Sequence, residues 1–222
     1  MTTARDVIDE AKRVLATTEG RLRGHRAAVA VENGQADRAM LRFFCGNQYQ
    51  MWKPNEQARS VAMFRFTEHP YQSVFLTPPE VEEHAAAAFL ALGRCVGLEN
   101  PDGFEPTAQA FGYAAYKAWL VCYGSAADIA CARALNLSVW GSNCGLMSRG
   151  LRAHYGLDGE ETAFLDGFAH MPCFEESAGQ VIDHDLKEGV APALNVRAAR
   201  MMQAYELMFW EAMAAQEDGP AG

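Results

Sequence analysis

The sequence of 222 residues lacks any Cys-x-x-Cys pair: Cys45, Cys95, Cys122, Cys131, Cys144 and Cys173 are scattered, and without a secretion signal they read as reduced, mostly buried thiols. It also lacks an apolar run near the roughly 18 residues that a membrane span needs. Its first ten residues carry three acids and no hydrophobic stretch, which argues against a signal peptide. No cluster of Lys and Arg runs beyond two or three residues, so the footprint of a nucleic-acid binder is missing. Period-two alternation never lasts long enough for a strand, and neither repeats nor low-complexity stretches occur. These absences leave a cytoplasmic, all-α chain with no membrane and no nucleic-acid partner.

Apolar material is abundant. Half of the residues are hydrophobic, with twelve Phe, ten Met and four Trp, enough for one sizeable core. The formal net charge of -9 accounts for a well-solvated surface and does not bear on the fold. Val7, Ile8, Ala11, Val14 and Leu15 fall at helical spacing in a first helix that Gly20 and Gly24 break. A second helix spans about 25–32 and stops at Asn33-Gly34. A third holds Met40 to Met51 and ends before Pro54, and a fourth covers 55–66. Pro78 and Pro79 open the next, with Glu80, Glu82 and Glu83 in its first turn, and Gly93 and Gly97 end it. Thr107 caps a helix ending near Tyr123-Gly124, and Ser125 caps a long one reaching His154. Two more cover about 159–188, with a bend near Pro172, and 192–216, before a frayed tail over 216–222. The expectation is a single domain over 1–222.

Several segments, taken in order, resemble the TenA/thiaminase II family. Tyr205-Glu206-Leu207-Met208-Phe209-Trp210 is similar to that family's closing Glu-x-x-Phe-Trp pattern. The block from Leu22 to Trp52, with His25, Asn33-Gly34, Phe43-Phe44 and Asn47-Gln48-Tyr49, resembles its entry helices. Glu80 to Gly93 resembles the family's fourth helix, and Thr107 to Tyr116 its Thr-x-x-x-Tyr-x-x-Tyr helix. The resemblance implies a heme-oxygenase-like bundle of about seven or eight helices around a central pocket. It also implies a homo-oligomer, dimer or tetramer, acting on a small heterocyclic molecule. The nearest reaction is hydrolysis of a C–N bond on a thiamin-type aminopyrimidine, as in thiamin salvage.

The family's site positions are mostly altered. Its Cys-x-Trp-x-Tyr motif, with a nucleophilic Cys, falls on Ser138-Val139-Trp140-Gly141-Ser142. Its pyrimidine-binding Asp falls on Gln48, next to Tyr49, and a later pocket Tyr on Phe168; Tyr113 and Glu206 are kept. By that resemblance Glu206 and Ser138 are the catalytic candidates, and Gln48, Tyr49, Tyr113, Trp140, Ser142 and Phe168 the substrate-binding ones. Serine needs a general base where a thiolate does not, and no His lies near Ser138 in sequence. Ser138, Gly141, Ser142 and Gly145 follow i, i+3, i+4, i+7 spacing, and that face admits either a packed helix or a ligand. Glu206, set among Met202, Tyr205, Phe209 and Trp210, is a carboxyl whose pKa burial would raise into the range of a general acid or base.

Two alternatives stay open. One is an oxidase or oxygenase of the same fold, metal-dependent or cofactor-free; the nearest carboxylate–imidazole sets are Glu80/His84, Asp166/His170 and His184/Asp185, and none completes a ligand set. His25 falls where heme oxygenases place an axial ligand. The other is a non-catalytic small-molecule binding protein. No metal and no cofactor are assigned.

Overall fold

Helix caps written in the sequence decide where most elements begin. The computed structural model describes residues 2–75 and 79–216, without the side chains of Lys53 and residues 79–82. Its helices are α1 (Ala4–Leu22), α2 (Arg26–Glu32), α3 (Arg38–Arg65), α4 (Pro79–Cys95), α5 (Ala108–Tyr123), α6 (Ala126–His154), α7 (Ala163–Ala169), α8 (Glu175–Lys187) and α9 (Pro192–Ala214), with short 3₁₀ turns at Gln72–Phe75 and Pro101–Gly103. Among the described residues that makes nine α-helices, where seven or eight were implied, and no strand. Ser125 caps α6 as expected: its side chain accepts from the Asp128 N–H while Asp128 accepts from the Ser125 N–H. Thr107 caps α5 through the Ala110 N–H. The opening at Pro78, the acids Glu80 and Glu82 and the tail from Glu217 lie outside the described residues or side chains.

Two helix boundaries differ from the sequence reading. Pro54 lies inside α3, which runs unbroken to Arg65. A proline in a helix interior costs about 3 kcal/mol, and here burial of Met51 before it and of Ala58 and Ala62 after it holds both halves in line. The span 159–188 is two helices, not one bent helix: α7 stops at Ala169 and α8 starts at Glu175. Pro172 lies in this gap and has no N–H to carry the ladder across it. Gly20 and Gly93 do not end their helices, which continue to Leu22 and Cys95.

Helices α6 and α9 form the axis of the bundle. Each buries one face against its neighbours, α9 through residues such as Met202, Glu206, Phe209, Trp210 and Met213. Around them the largest core cluster joins Phe43 and Phe44 of α3, Val139 and Met147 of α6 and Trp210 of α9. A second cluster ties Val7, Ala11 and Leu15 of α1 to Ala127, Cys131 and Leu135 of α6 and to Ile182 of α8.

Close helix approaches are set by small residues on α6. A Cβ at Gly141 would lie 2.5 Å from the Phe168 carbonyl oxygen of α7, and one at Gly150 would lie 2.1 Å from the Val31 carbonyl oxygen of α2. Of the two readings of the Ser138–Gly145 face, helix packing therefore holds for Gly141. Gly→Ala inside an exposed helix gains about 1 kcal/mol. At Gly150 the sign reverses, because the obstruction is backbone: Gly150→Ala is expected to destabilise by about 2–3 kcal/mol in urea unfolding. An unchanged midpoint would show that α2 yields freely.

No helix of the described residues is long and apolar enough to cross a membrane.

Candidate functional site

Between α3, α4, α5, α6 and α7 lies a cavity of about 390 Å³. Its apolar wall includes Trp52, Phe75, Phe164 and Phe168; its polar groups include Gln48, Asn55, Tyr113, Lys117, Arg133 and Asn136. A more open depression of about 510 Å³, against Arg21, Phe43 and Glu211, lies on the α1–α9 side and includes none of these groups.

The polar feature that joins the cavity to the core is a chain of hydrogen bonds. Tyr113 of α5 donates its hydroxyl to Asn136 Oδ1 at 2.6 Å. Asn136 of α6 in turn donates through Nδ2 to Glu206 Oε2, and the indole N–H of Trp210 donates to Glu206 Oε1 at 3.0 Å. Glu206 is 1% exposed. Burial raises its pKa from 4.5 to about 7, against the opposing pull of the bonds from Trp210 and Asn136 and the charge of Arg23. Tyr113 is pushed well above the ordinary phenol range by burial first and by the Glu206 charge second. Glu206 does not line the cavity; Asn136 and Tyr113 stand in front of it.

Of the eight residues singled out in the sequence, three line the cavity: Gln48, Tyr113 and Phe168. Trp140 instead belongs to an aromatic cluster behind it, with ring centroids 5.2 Å from Trp210, 5.7 Å from Phe209 and 6.0 Å from Phe44. Tyr49 donates its hydroxyl to Asp102 at 3.1 Å, toward the Pro101–Gly103 turn. Ser142 bonds back to the Val139 carbonyl of its own helix at 2.7 Å. Ser138 is exposed and accepts a hydrogen bond from Arg23 at 3.0 Å. Two residues along an α-helix are about 200° of rotation, so Ser138 and Asn136 look in nearly opposite directions. The α6 side chain that meets Tyr113 and Glu206 is Asn136, which the sequence reading passed over. Its signal was a lone amide in the apolar run Ala134-Leu135-Asn136-Leu137.

Among the described residues, no cysteine, serine or threonine lines the cavity. Cys144 is fully buried, and burial raises its thiol well above the ordinary value, so it is an inert core thiol.

The carboxylate–imidazole sets resolve differently. The Asp166 carboxylate takes hydrogen bonds from Ser148 and Arg152, while the His170 ring bonds the Asp166 carbonyl at 2.9 Å; the two side chains do not form a pair. The Glu80 side chain is outside those described. His184 and Asp185 do meet His69, with one ligand-type atom of each within 4.8 Å of the others. His69 Nδ1 accepts the Tyr71 N–H at 3.2 Å, which leaves the proton of a neutral ring on Nε2, 3.1 Å from Asp185 Oδ1. Asp185 Oδ2 accepts the Ala127 N–H at 2.8 Å, at the start of α6. With their facing atoms engaged in this way, His69 and Asp185 tie α6 and α8 to the 69–71 turn. His25 caps α2 by accepting the Ala27 N–H and lies 3.7 Å from Glu211; it does not reach the cavity.

No protein-family model matches the sequence, and no curated protein matches it. Solved structures do. A TenA homologue from Pseudomonas syringae pv. tomato superposes with a TM-score of 0.78 at 12% identity, covering 93% of this chain and 91% of that one. A domain of unknown function with a heme oxygenase-like fold from Shewanella denitrificans gives 0.67 at 14% identity, with 96% of each chain covered. Heme oxygenase-1 from the cyanobacterium Synechocystis, in complex with heme, gives 0.63 at 15% identity over 96% of this chain and 92% of that one. The chain has the all-α heme-oxygenase-like fold, as the sequence resemblance implied.

Proposed function

We propose that this chain is a TenA-like protein that takes a small heterocyclic molecule into its central cavity, the nearest reaction being hydrolysis of a C–N bond on a thiamin-type aminopyrimidine. The observation that carries this reading is the Tyr113–Asn136–Glu206 array, which brings a carboxyl titrating near neutrality within one side chain of the cavity. Asn136 and Gln48 each offer a donor and an acceptor to the edge of a heterocycle. Asn55 Oδ1 is buried without a hydrogen-bond partner, a state that costs about 1–3 kcal/mol and that a ligand N–H would relieve. A carboxyl near 7 can hold or release a proton at neutral pH, the property acid–base hydrolysis needs. The thiolate route lacks a residue here, since among the described residues no thiol lines the cavity. Exposed rings at Phe64, Trp119 and Tyr123 support assembly as a homo-oligomer.

A second reading, a binding protein without turnover, is favoured by one observation: Asn136 stands between Glu206 and the cavity. The two separate in one assay. Thiamin and its aminomethylpyrimidine breakdown product are incubated with the protein, and hydroxymethylpyrimidine is followed by chromatography. Product formed by the native chain and lost in Glu206→Gln is the result expected of the enzyme. Saturable binding of either compound with no product supports the binding protein instead. Neither binding nor product would overturn the aminopyrimidine reading.

A further inference from the structure

From the side chains on the cavity wall we infer that the ligand carries an anionic group, a phosphate or a carboxylate, seated between Lys117 and Arg133. This rests on the central cavity being the ligand site.

Among the described side chains, the wall carries charge opposite in sense to the chain as a whole. The protein has a formal net charge of -9, yet Lys117 and Arg133 line the cavity, and the carboxylate among the described side chains of its wall is Glu56. Glu56 is engaged by the Trp52 indole N–H at 2.7 Å. Among the described residues, neither Lys117 nor Arg133 forms an ion pair. Arg133 donates to the Val74 carbonyl at 2.7 Å and lies 4.7 Å over the Phe174 ring, contacts that orient the guanidinium without neutralising it. Lys117 has no hydrogen-bond partner among the described residues. Burial, together with the charges of Arg133 and Arg59, holds its pKa down at about 8. Lys117 and Arg133, brought together out of bulk water with no counter-charge among the described residues, are costly to hold, and an oxyanion between them removes that cost.

The placement follows from the hydrogen bond that joins α5 to α6 at Tyr113 and Asn136. Tyr113 and Lys117 are one turn apart on α5, about 6 Å by helix rise, and Asn136 and Arg133 are three residues apart on α6. Tyr113 meets Asn136, and Lys117 and Arg133, about one turn away on the same two helices, lie near enough for the Arg133 charge to act on Lys117. A ligand whose ring edge is held by Tyr113 and Asn136 presents a substituent one helical turn away to the two cations. Phosphate and carboxylate share this chemistry.

The test compares three probes that share a phenyl ring and differ in charge: benzyl phosphate, phenylacetate and benzyl alcohol, titrated calorimetrically at low and high salt. At least one anionic probe should bind the native protein roughly tenfold or more tighter than the alcohol, with an advantage that shrinks in high salt. Lys117→Met should abolish most of that advantage and Lys117→Arg should keep it. Lys117→Met should also raise the melting temperature, since it removes an unpaired cation at similar volume. The tighter of the two anions identifies the group as phosphate ester or carboxylate. Equal binding of all three probes, or a preference unchanged in Lys117→Met, overturns the anionic group while leaving the cavity as the ligand site. Failure of all three to bind overturns the cavity reading and this inference with it.

Discussion

Glu206→Gln is expected to flatten the acid side of the stability profile and to abolish any turnover, while leaving the fold intact. In the native protein the folded-state pKa of Glu206 is raised to about 7 from 4.5. Between those values the folded chain holds a proton that the unfolded chain has released. Stability from this group is therefore complete below about pH 4.5 and is lost as pH rises through about 7. A displacement of that size, at about 1.4 kcal/mol per unit, corresponds to about 3 kcal/mol at pH 8. Glutamine removes the titration and fits the site. Its carbonyl can accept the Trp210 N–H, and its amide can donate to a flipped Asn136, whose own amide then donates to Tyr113. Urea midpoints at pH 5 and pH 8 should diverge in the native chain and nearly coincide in the variant. Parallel profiles would mean that Glu206 is ionised throughout and that its burial is compensated by something other than the two bonds described. Turnover that survives the substitution would remove Glu206 from the chemistry.

Trp210→Ala should give the largest loss of stability, about 3–5 kcal/mol. Trp210 is 0% exposed, the largest of the fully buried side chains. Its ring lies 5.2 Å from that of Trp140, 5.5 Å from Phe209 and 6.0 Å from Phe44, so its removal empties the centre of the α3–α6–α9 core. It also deprives Glu206 Oε1 of its donor. Trp210→Phe separates the two effects: it keeps part of the packing but still leaves the carboxyl with one donor fewer. The Glu206 pKa should then move further above 7, because a bond that favours the charged form is gone. The check is denaturant unfolding of both variants, with the acid profile repeated for Trp210→Phe. A loss below about 1 kcal/mol in Trp210→Ala would show that this cluster is not a main support of the fold.

How much was legible in the sequence can be traced residue by residue. Ser125 and Thr107 were read as caps, and they are caps, because a cap needs only a side-chain oxygen and an N–H two or three residues on. Pro54 was read as a break and is not one. The local penalty of a proline is real, but the burial of Met51, Ala58 and Ala62 depends on helices distant in sequence. Pro172, in contrast, does interrupt the chain, between α7 and α8. The burial of Glu206 is legible in its apolar neighbours and in the resemblance. Its hydrogen-bond partner Asn136 was missed, as were Lys117 and Arg133, since a lone amide or cation on an apolar helix gives no sign of what it faces.

What the sequence determined by itself is therefore the local part: an all-α chain, most helix starts, and the apolar stripes that the helices bury. Each of these depends on interactions spanning three or four residues, and periodicity and capping residues display them directly. The tertiary structure alone decided which face of α6 meets the cavity. Helical side chains advance about 100° per residue, so an alignment two residues out turns Asn136 inward in place of Ser138. The same geometry, acting between α5 and α6, brings Lys117 beside Arg133 and places Tyr113 on Asn136. Those meetings are set by the packing angle and register of helices that share no local signal.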